Sequence, residues 1–383
     1  MKKYFSKAIY KITLKKLALA AALTGVLAIL LNAAIIISGF TPPQIHGEFF
    51  SYSYYPVFYG SIGYTAAGIA PVLVFVMFLG SAFFTYLAFK YQNKRTESDK
   101  VHSMPATRTQ QFLSRVLAVL TYVFSIIILT SLSAWAFIAL TGQSVLFKYV
   151  ILTAAGYMAG SALIAAVTAM AMSITGRPFA SFTSAAVFLF LPRSILFIIG
   201  QIISRGNFNF IDISRTNIFF DPSSNIPVGI LLDISRLWEY NGVSEILISG
   251  KSIIYTIILA LIYLTGALYM TNRRKSELAG KSFQSKKTAF LFASLSSMPL
   301  ILLAIYNSVL RYVFTHNLIY VMSTASIVLV AFAFIIFILI SLIYNANFKG
   351  MLKGLAVFFI CLISVAAIVG LGTAASQGIL RRS

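Results

Sequence analysis

The feature of this sequence that most constrains its fold is a series of unbroken apolar runs that recurs along almost all of its 383 residues. Each run is about 20 residues long, and a helix of that length spans the hydrocarbon core of a bilayer. Barrel strands would instead alternate apolar and polar residues over about 10 positions. Only 10% of the residues are charged, against about 25% in a soluble domain. The pattern excludes a soluble globular protein and predicts an all-α, polytopic membrane protein.

The apolar runs predict about nine transmembrane helices, within a range of roughly eight to ten. They lie at Leu17–Ile37, Ala66–Phe89, Val116–Leu140, Tyr149–Ser173, Phe182–Ile202, Ser252–Met270, Ala289–Val309, Ile319–Tyr344 and Gly354–Leu371. The chain would then consist of a basic N-terminal segment at 1–16 and a single transmembrane domain at 17–383. The longer polar segments of that domain are a cytoplasmic loop at 90–115, an extracellular loop at 203–251 forming a small cap, and a cytoplasmic loop at 271–288.

The charged residues sort by predicted side of the membrane. The N-terminal segment carries six lysines and no acid, so the positive-inside rule places the N-terminus in the cytoplasm. With alternate threading, the inner segments hold 21 Lys and Arg against three acids, and the outer segments hold eight against six. A nucleic-acid surface would not follow alternate loops, so the net charge of +21 is an orientation signal. Nine spans would leave the C-terminus outside, which predicts a hairpin in the last run or a shortened relative of a longer protein.

Arg193 is the one Lys, Arg, His, Asp or Glu residue within the predicted spans, and it follows Pro192. Carriers driven by protons or sodium commonly use buried carboxylates as relays, and none of the predicted spans contains Asp or Glu. Arg193 has two interpretations. It lines a substrate pathway and attracts an anionic group, or Pro192 kinks the helix and Arg193 reaches the interface or a backbone carbonyl.

Motifs for catalysis or metal binding are missing from the sequence. His46, His102 and His316 are scattered, and a lone Cys361 offers no ligand cluster. Gly280-Lys281-Ser282 matches the end of a P-loop, but Lys275 stands where that loop needs glycine. We therefore expect no catalytic residue, no metal and no bound cofactor in this chain, and expect its energy to come from elsewhere.

The cytoplasmic loop at 90–115 is polar, carries both signs of charge and ends in a predicted helix start. Pro105 is expected in the first turn of that helix, which would continue through Phe112 into the third span. A short helix beneath a bundle of transmembrane helices is an element on which a soluble partner can dock and through which it can move the connected spans. The other interpretation is an ordinary positively charged inner loop.

Two segments resemble motifs of ABC-2-type permeases, the membrane subunits of a class of bacterial ABC transporters. Residues 94–108, Lys-Arg-Thr-Glu-Ser-Asp-Lys-Val-His-Ser-Met-Pro-Ala-Thr-Arg, resemble their first cytoplasmic loop, with Met104 where leucine is usual. Residues 272–283, Asn-Arg-Arg-Lys-Ser-Glu-Leu-Ala-Gly-Lys-Ser-Phe, are similar to the segment that follows their sixth span. Residues 173–179 give a weaker third match. The resemblance covers about residues 1–290.

The resemblance implies that the first cytoplasmic loop contains a coupling helix that docks on a cytoplasmic ATPase. Its docking residues would be Glu97, Asp99, His102, Pro105 and Arg108. A mixed-sign surface gives such an interface register and specificity more than affinity. Arg274, Glu277 and Gly280 of the second motif would lie beside this loop or brace it.

The same resemblance implies a permease subunit in a bacterial cytoplasmic membrane, exporting an amphiphilic peptide, drug or lipid. ATP and Mg²⁺ would bind the partner ATPase subunits, and a second permease, identical or paralogous, would complete the pathway within the lipid. Three alternatives stay open: an ion-coupled carrier or flippase, a transferase acting on lipid-linked substrates, and a sensor subunit that binds without transporting.

Overall fold

The computed structural model of the chain describes residues 5–39, 72–140, 147–204, 225–230, 248, 250–274 and 279–280, with isolated positions between 297 and 363. These residues are helical apart from short turns, and no strand occurs among them. The prediction of a helical protein is confirmed for this part of the chain. The predicted spans 289–309, 319–344 and 354–371 lie mostly outside the described residues, so the number of nine stays a prediction.

Seven helices form most of the described structure. They are α1 (Lys7–Gly39), α2 (Val72–Asn93), α3 (Arg95–His102), α4 (Arg108–Leu140), α5 (Phe147–Ile174), α6 (Pro178–Ser204) and α7 (Gly250–Arg273). Among the described residues, α1, α2, α4, α5 and α7 are long and apolar enough to cross a membrane. Each of the five overlaps a predicted span. The chain is a membrane-embedded helical protein.

The chain folds into two compact units, and each unit is built from three segments that are not consecutive in the sequence. The first comprises Met1–Tyr91, Asp99–Met170 and Ser223–Arg273, and the second comprises Gln92–Ser98, Ala171–Pro222 and Arg274–Ser383. Within the second unit, α6 runs through Pro192 as one helix. A transmembrane helix tolerates proline where neighbouring groups satisfy the freed carbonyl. Arg193 in the same helix is buried.

In the first unit, α1 packs along α4 through side chains that repeat mostly every fourth residue. The buried face of α1 contains Ile9, Thr13, Leu17, Ala21 and Ala28. The pairs that hydrogen-bond along this contact are Ser6 N–H to Ser114 Oγ at 2.9 Å, Tyr10 Oη with Thr121 Oγ1 at 3.1 Å, Tyr122 O–H to Leu14 O at 3.0 Å, and Asn32 Nδ2 to Thr130 O at 3.0 Å. Interhelical hydrogen bonds of this kind contribute about 0.6 kcal/mol each in membranes, so they add register to a contact made mainly by packing.

A glycine in the middle of α5 lets three elements of the first unit meet. A Cβ on Gly160 would lie 2.5 Å from the sulfur of Met77 and 3.5 Å from Cγ2 of Ile226. Met77 belongs to a π-helical turn of α2 at Val76–Gly80. The Ser81 N–H bonds the carbonyl of Val76 five residues earlier. Because α5 has no side chain at position 160, the Met77 side chain from this turn lies against the backbone of α5.

Residues 225–230, part of the predicted extracellular loop, are buried without exception. Positions 226–230 are helical, and the Ile226 N–H donates to the Thr256 hydroxyl of α7 at 3.3 Å. The Thr256 hydroxyl in turn donates to Ser252 O at 2.7 Å. This part of the loop is therefore buried against α7 in the first unit, and most of the predicted cap lies outside the described residues.

Candidate functional site

The short helix α3 lies in the chain between the two apolar helices α2 and α4. Its eight residues, Arg95–His102, are polar and carry both signs of charge. Glu97 stands in the first turn, where a negative charge interacts favourably with the helix dipole. Glu97 also pairs with Lys94 at 3.5 Å, a surface ion pair that stabilises by about 0–1 kcal/mol. The helix therefore presents charge rather than apolar surface, as a docking element for a soluble partner would.

The segment after α3 is a turn, and the helix start predicted at Pro105 was wrong. The Ser103 N–H bonds Asp99 O at 3.0 Å, and Pro105 is an exposed residue of the turn. Helix α4 begins at Arg108 with a reciprocal cap, in which Gln110 N–H donates to Thr107 Oγ1 at 3.2 Å and Thr107 N–H donates to Gln110 Oε1 at 3.0 Å. This capping box satisfies two backbone donors that a helix start leaves open.

Side chains of α4 tie the turn and the end of α3 to the first unit. The amide of Gln111 is buried and donates to Val101 O at 2.9 Å and to Ala106 O at 3.1 Å. Both acceptors are backbone carbonyls near the end of α3. One buried amide therefore fixes the end of α3 against the start of α4.

Two residues at the start of α4 contact the end of α7. Arg108 Nη1 donates to the Asn272 carbonyl at 3.0 Å. Thr109 Oγ1 and the Asn272 side-chain amide lie at hydrogen-bonding distance, 3.4 Å, from each other. A charged donor at the last turn of α7 meets the negative end of its dipole. Arg108 therefore has a structural partner inside the chain as well as its predicted docking role.

Arg115 is a second arginine whose environment the sequence did not predict. In the sequence, Arg115 is one of the 21 basic residues assigned to the inner segments. In the structure, its side chain is buried and only 7% exposed. Its guanidinium lies 3.8 Å from the centre of the Tyr91 ring. Phe89 and Phe112 pack beside this pair with ring centres 5.4 Å apart. Arginine stacks on aromatic faces readily, so the pair fixes the end of α2 against α4.

In the second unit, Arg274 is the centre of a hydrogen-bond network. Its side chain is 4% exposed. Nη2 donates to Gln92 O at 2.8 Å, and Nη1 donates to Gln92 Oε1 at 3.3 Å and Thr175 O at 2.7 Å. Nη1 also donates to Met172 O. The guanidinium fork thus caps carbonyls left open at the ends of α2 and α5, where the dipoles favour a cation.

Gly280 joins the second motif to the turn between α5 and α6. Its φ of +84° lies in the left-handed region, which glycine adopts without a Cβ penalty. The Gly280 N–H donates to Gly176 O at 3.0 Å, and Arg177 Nε donates to Gly280 O at 2.8 Å. The Thr175 and Ser181 hydroxyls meet at 2.7 Å across the same turn. The weaker third motif, residues 173–179, is therefore in contact with the second motif.

The predicted site residues fall into two sets, one in each unit. The first unit holds Asp99, His102, Pro105 and Arg108, and the second holds Glu97, Arg193, Arg274 and Gly280. Asp99 is exposed on α3 and His102 is its last residue. Glu277 lies outside the described residues. Among the described residues, no group of three His, Cys, Asp and Glu could hold a metal ion.

Sequence reasoning missed the partners of these residues. Gln92, Thr175 and Asn272 had no assigned role, yet they receive the hydrogen bonds of Arg274 and Arg108. Most of the acceptor atoms named above for these two arginines are backbone carbonyls, and a carbonyl carries no signature in the sequence. The Thr107-Arg-Thr-Gln110 capping box, in contrast, is a pattern that the sequence does show.

Comparisons with known proteins add no information about this site. No protein-family model, curated protein or solved structure matches this chain. Its function is therefore inferred from the motifs and from the contacts that they make.

Proposed function

We propose that this chain is the membrane-spanning permease subunit of an ABC-2-type transporter that exports an amphiphilic substrate. ATP would be hydrolysed, with Mg²⁺, by separate cytoplasmic ATPase subunits. A second permease subunit, identical or paralogous, would face this one in a bacterial cytoplasmic membrane, with the N-terminus in the cytoplasm. The resemblance of residues 94–108 and 272–283 to permease motifs is the source of this proposal.

The observation that best supports the proposal is that both motifs supply contacts that hold the ends of one polar segment. In the second unit, Gln92, two residues before Lys94, is bound by Arg274. In the first unit, Arg108 is bound to Asn272. The segment between Gln92 and Arg108 includes α3, a charged helix with an exposed Asp99. A polar helix anchored at both ends through buried or charged hydrogen bonds suits an element that receives force.

The anchors also suggest how movement of α3 would reach the membrane. Gln92 lies at the end of α2, and Arg274 directly follows α7. Arg108 begins α4. A displacement of α3 by an ATPase would pull on α2 and α4 through the covalent chain and on the end of α7 through Arg274 and Asn272. Rearrangement of these helices would open or close the export pathway, as in other conformationally gated proteins.

The docking role of α3 can be tested by reversing an exposed charge. Asp99→Lys changes a side chain on the surface of α3, whereas Arg108→Glu would also remove the hydrogen bond to Asn272 and confuse folding with docking. Lys251→Glu is a matched control, because Lys251 is also exposed but lies at the first turn of α7, the opposite end of that helix from the anchors.

The experiment searches the genes beside that of this chain for an ABC ATPase, co-expresses the two proteins and measures the amount of ATPase that co-purifies. We expect Asp99→Lys to reduce co-purification at least several-fold, since like-charge juxtaposition at an interface costs several kcal/mol. Lys251→Glu should leave it unchanged. A neighbouring gene region without an ATPase, or a full ATPase complement on the Asp99→Lys variant, would reject the docking assignment.

An ion-coupled carrier or flippase is the alternative that the sequence left open. Helices α1, α2, α4, α5, α6 and α7 contain neither Asp nor Glu, so the described spans lack the carboxylate relays that such carriers commonly use. The two proposals differ in one measurement. Substrate movement in proteoliposomes that contain this chain alone and an ion gradient would favour the carrier, and a requirement for the ATPase and ATP would favour the permease.

A further inference from the structure

A single ridge of α1 changes from lysine to leucine within one helical turn. Positions 7, 11, 15, 19, 23 and 27 read Lys, Lys, Lys, Leu, Leu and Leu. Residues four apart are neighbours on a helix surface, offset by about 40° around the axis, so these six side chains form a row that winds around α1. Both halves face away from the protein, since the three lysines are exposed and Leu19, Leu23 and Leu27 are 73%, 63% and 49% exposed.

The ridge is distinct from the face of α1 that packs on α4. That face buries Ile9, Thr13 and Leu17, two residues further along each turn. The helix begins at Lys7, ten residues before the predicted span. The lysines are therefore fixed on a rigid scaffold and do not belong to an irregular tail.

No acid lies on the helices that carry and support the ridge. Neither α1 nor α4, its main packing partner, contains Asp or Glu. The two helices thus offer the lysine ammonium groups no carboxylate. Anionic groups beside the ridge would therefore meet three positive charges spread over about 12 Å, the rise of eight helical residues.

The polarity of the ridge identifies the chemistry of its occupant. An exposed apolar row on a membrane-spanning helix faces acyl chains, and the boundary between Lys15 and Leu19 spans about 6 Å, comparable with the headgroup layer of one leaflet, about 5–8 Å. Lysine also reaches along a helix with its apolar stem and keeps its ammonium group in the headgroup region. Lipids with a negative head and apolar tails match both the lysine half and the leucine half of the row, whereas a soluble acidic protein matches the lysine half alone.

We propose that the Lys7–Lys11–Lys15 ridge of α1 is a binding site for anionic phospholipid headgroups, with Leu19, Leu23 and Leu27 in contact with the acyl chains. The site is separate from the ATPase-docking segment and does not depend on the proposed transport function. Its role would be to fix the depth and tilt of α1, and through α1 the position of α4, in a membrane that contains anionic lipid.

The test uses the purified chain without any partner protein in phosphatidylcholine vesicles. Spin-labelled phosphatidylglycerol and spin-labelled phosphatidylcholine are added in parallel, and the motionally restricted fraction of each gives their relative association constant. The wild-type chain should prefer phosphatidylglycerol. Lys7→Gln, Lys11→Gln and Lys15→Gln should each reduce that preference by up to about fivefold, the factor that corresponds to one surface lysine. The triple glutamine variant should show a ratio of about 1.

Two control variants separate this site from general charge. The triple arginine variant, Lys7→Arg with Lys11→Arg and Lys15→Arg, keeps the three charges and should keep the preference. Lys100→Gln removes one exposed lysine of α3 and should also keep it. Salt near 1 M, where the screening length falls to about 3 Å, should weaken binding to the wild-type chain.

Two outcomes would overturn the inference. One is a triple glutamine variant that keeps the wild-type preference, and the other is an equal loss for Lys100→Gln. If the triple variant keeps the preference but loses the ATPase in a separate co-purification, the ridge belongs to a protein partner. If the triple variant does not fold, as judged by size-exclusion chromatography, the three single variants decide the same question.

Discussion

Arg274 donates two hydrogen bonds to one residue, Gln92, from Nη2 to the backbone carbonyl at 2.8 Å and from Nη1 to the side-chain oxygen at 3.3 Å. The two residues are 182 positions apart. Gln92 stands at the end of α2 just before α3, and Arg274 directly follows α7. A buried arginine therefore fixes the start of the segment for which a docking role is proposed.

We expect Arg274→Lys to destabilise the protein, although it keeps the positive charge. A lysine ammonium lacks the planar fork that lets two nitrogens reach Gln92, Thr175 and Met172 together. Each charged hydrogen bond contributes about 1.5–3 kcal/mol, so the loss should be about 2 kcal/mol, and larger for Arg274→Ala. The measurement is thermal unfolding of the purified variant in detergent.

The adjacent residue provides the control for this prediction. Arg273→Lys changes an exposed arginine that stacks on Tyr269 at 4.5 Å. We expect its effect to stay within about 0.5 kcal/mol, as for most surface substitutions. Equal effects at positions 273 and 274 would contradict the central role given to Arg274.

Gly280→Ala should weaken the link between the second motif and the turn at Gly176. No atom lies within 4 Å of a Cβ at position 280, so the cost comes from the backbone, whose φ is +84°. A left-handed conformation costs an alanine about 1–2 kcal/mol. Gly280→Asn should cost less, because asparagine tolerates this region.

Gly250→Ala is the matched control, since it too has open space around its Cβ but begins the helix α7. It should leave the unfolding temperature unchanged or raise it slightly. Comparing the unfolding temperatures of the two alanine variants isolates the effect of backbone conformation. Equal temperatures would argue against a strained alanine at position 280.

The capping box at the start of α4 predicts a measurable coupling between two side chains. Thr107→Ala should destabilise the protein by about 1 kcal/mol, because it leaves the Gln110 N–H without its hydroxyl acceptor. Thr107→Ser should keep most of that stability. A double-mutant cycle with Gln110→Ala should show non-additive changes in unfolding free energy, since the two residues bond reciprocally. Fully additive effects would mean that the cap does not act as a unit.

In the first unit, α5 lies so close to Ile248 that position 156 has no room for a side chain larger than that of glycine. A Cβ there would lie 2.5 Å from Cγ2 and 2.8 Å from Cδ1 of Ile248. Gly156→Ala should therefore lower the unfolding temperature, and Ile248→Ala in the same chain should recover part of the loss. Gly266→Ala is the control, because its nearest neighbour, Met170, lies at the ordinary contact distance of 3.5 Å. A destabilising effect at Gly266 equal to that at Gly156 would exclude a steric cause.

The positions of the spans could be predicted from the sequence because the requirement is local. A membrane-crossing helix needs about 20 apolar residues in succession, and that pattern is visible without any knowledge of neighbours. The predicted runs at 116–140, 149–173 and 252–270 fall inside α4, α5 and α7. Helix α4 begins at Arg108 rather than at Pro105, because the reciprocal bonds of Thr107 and Gln110 fix its first turn there.

The candidate site could be predicted only as a set of positions. The resemblance singled out Arg108, Arg274 and Gly280, but not what each of them contacts. Arg115 looked like one of many inner-loop charges until the structure placed it on the Tyr91 ring. Whether an arginine faces water or caps a helix depends on which distant segments surround it, and that information is not contained in its own neighbourhood.

The sequence by itself determined that this is a helical membrane protein, where most of the described spans lie, and which polar segments between them are distinctive. The hydrophobic effect and the hydrogen-bond requirement of the bilayer interior act on each segment separately. Each span can therefore be predicted from the sequence of that segment. The tertiary structure alone decided that Gln92 and Thr175 receive the Arg274 guanidinium. Those acceptors lie 182 and 99 residues away, and such contacts exist only once the helices have packed.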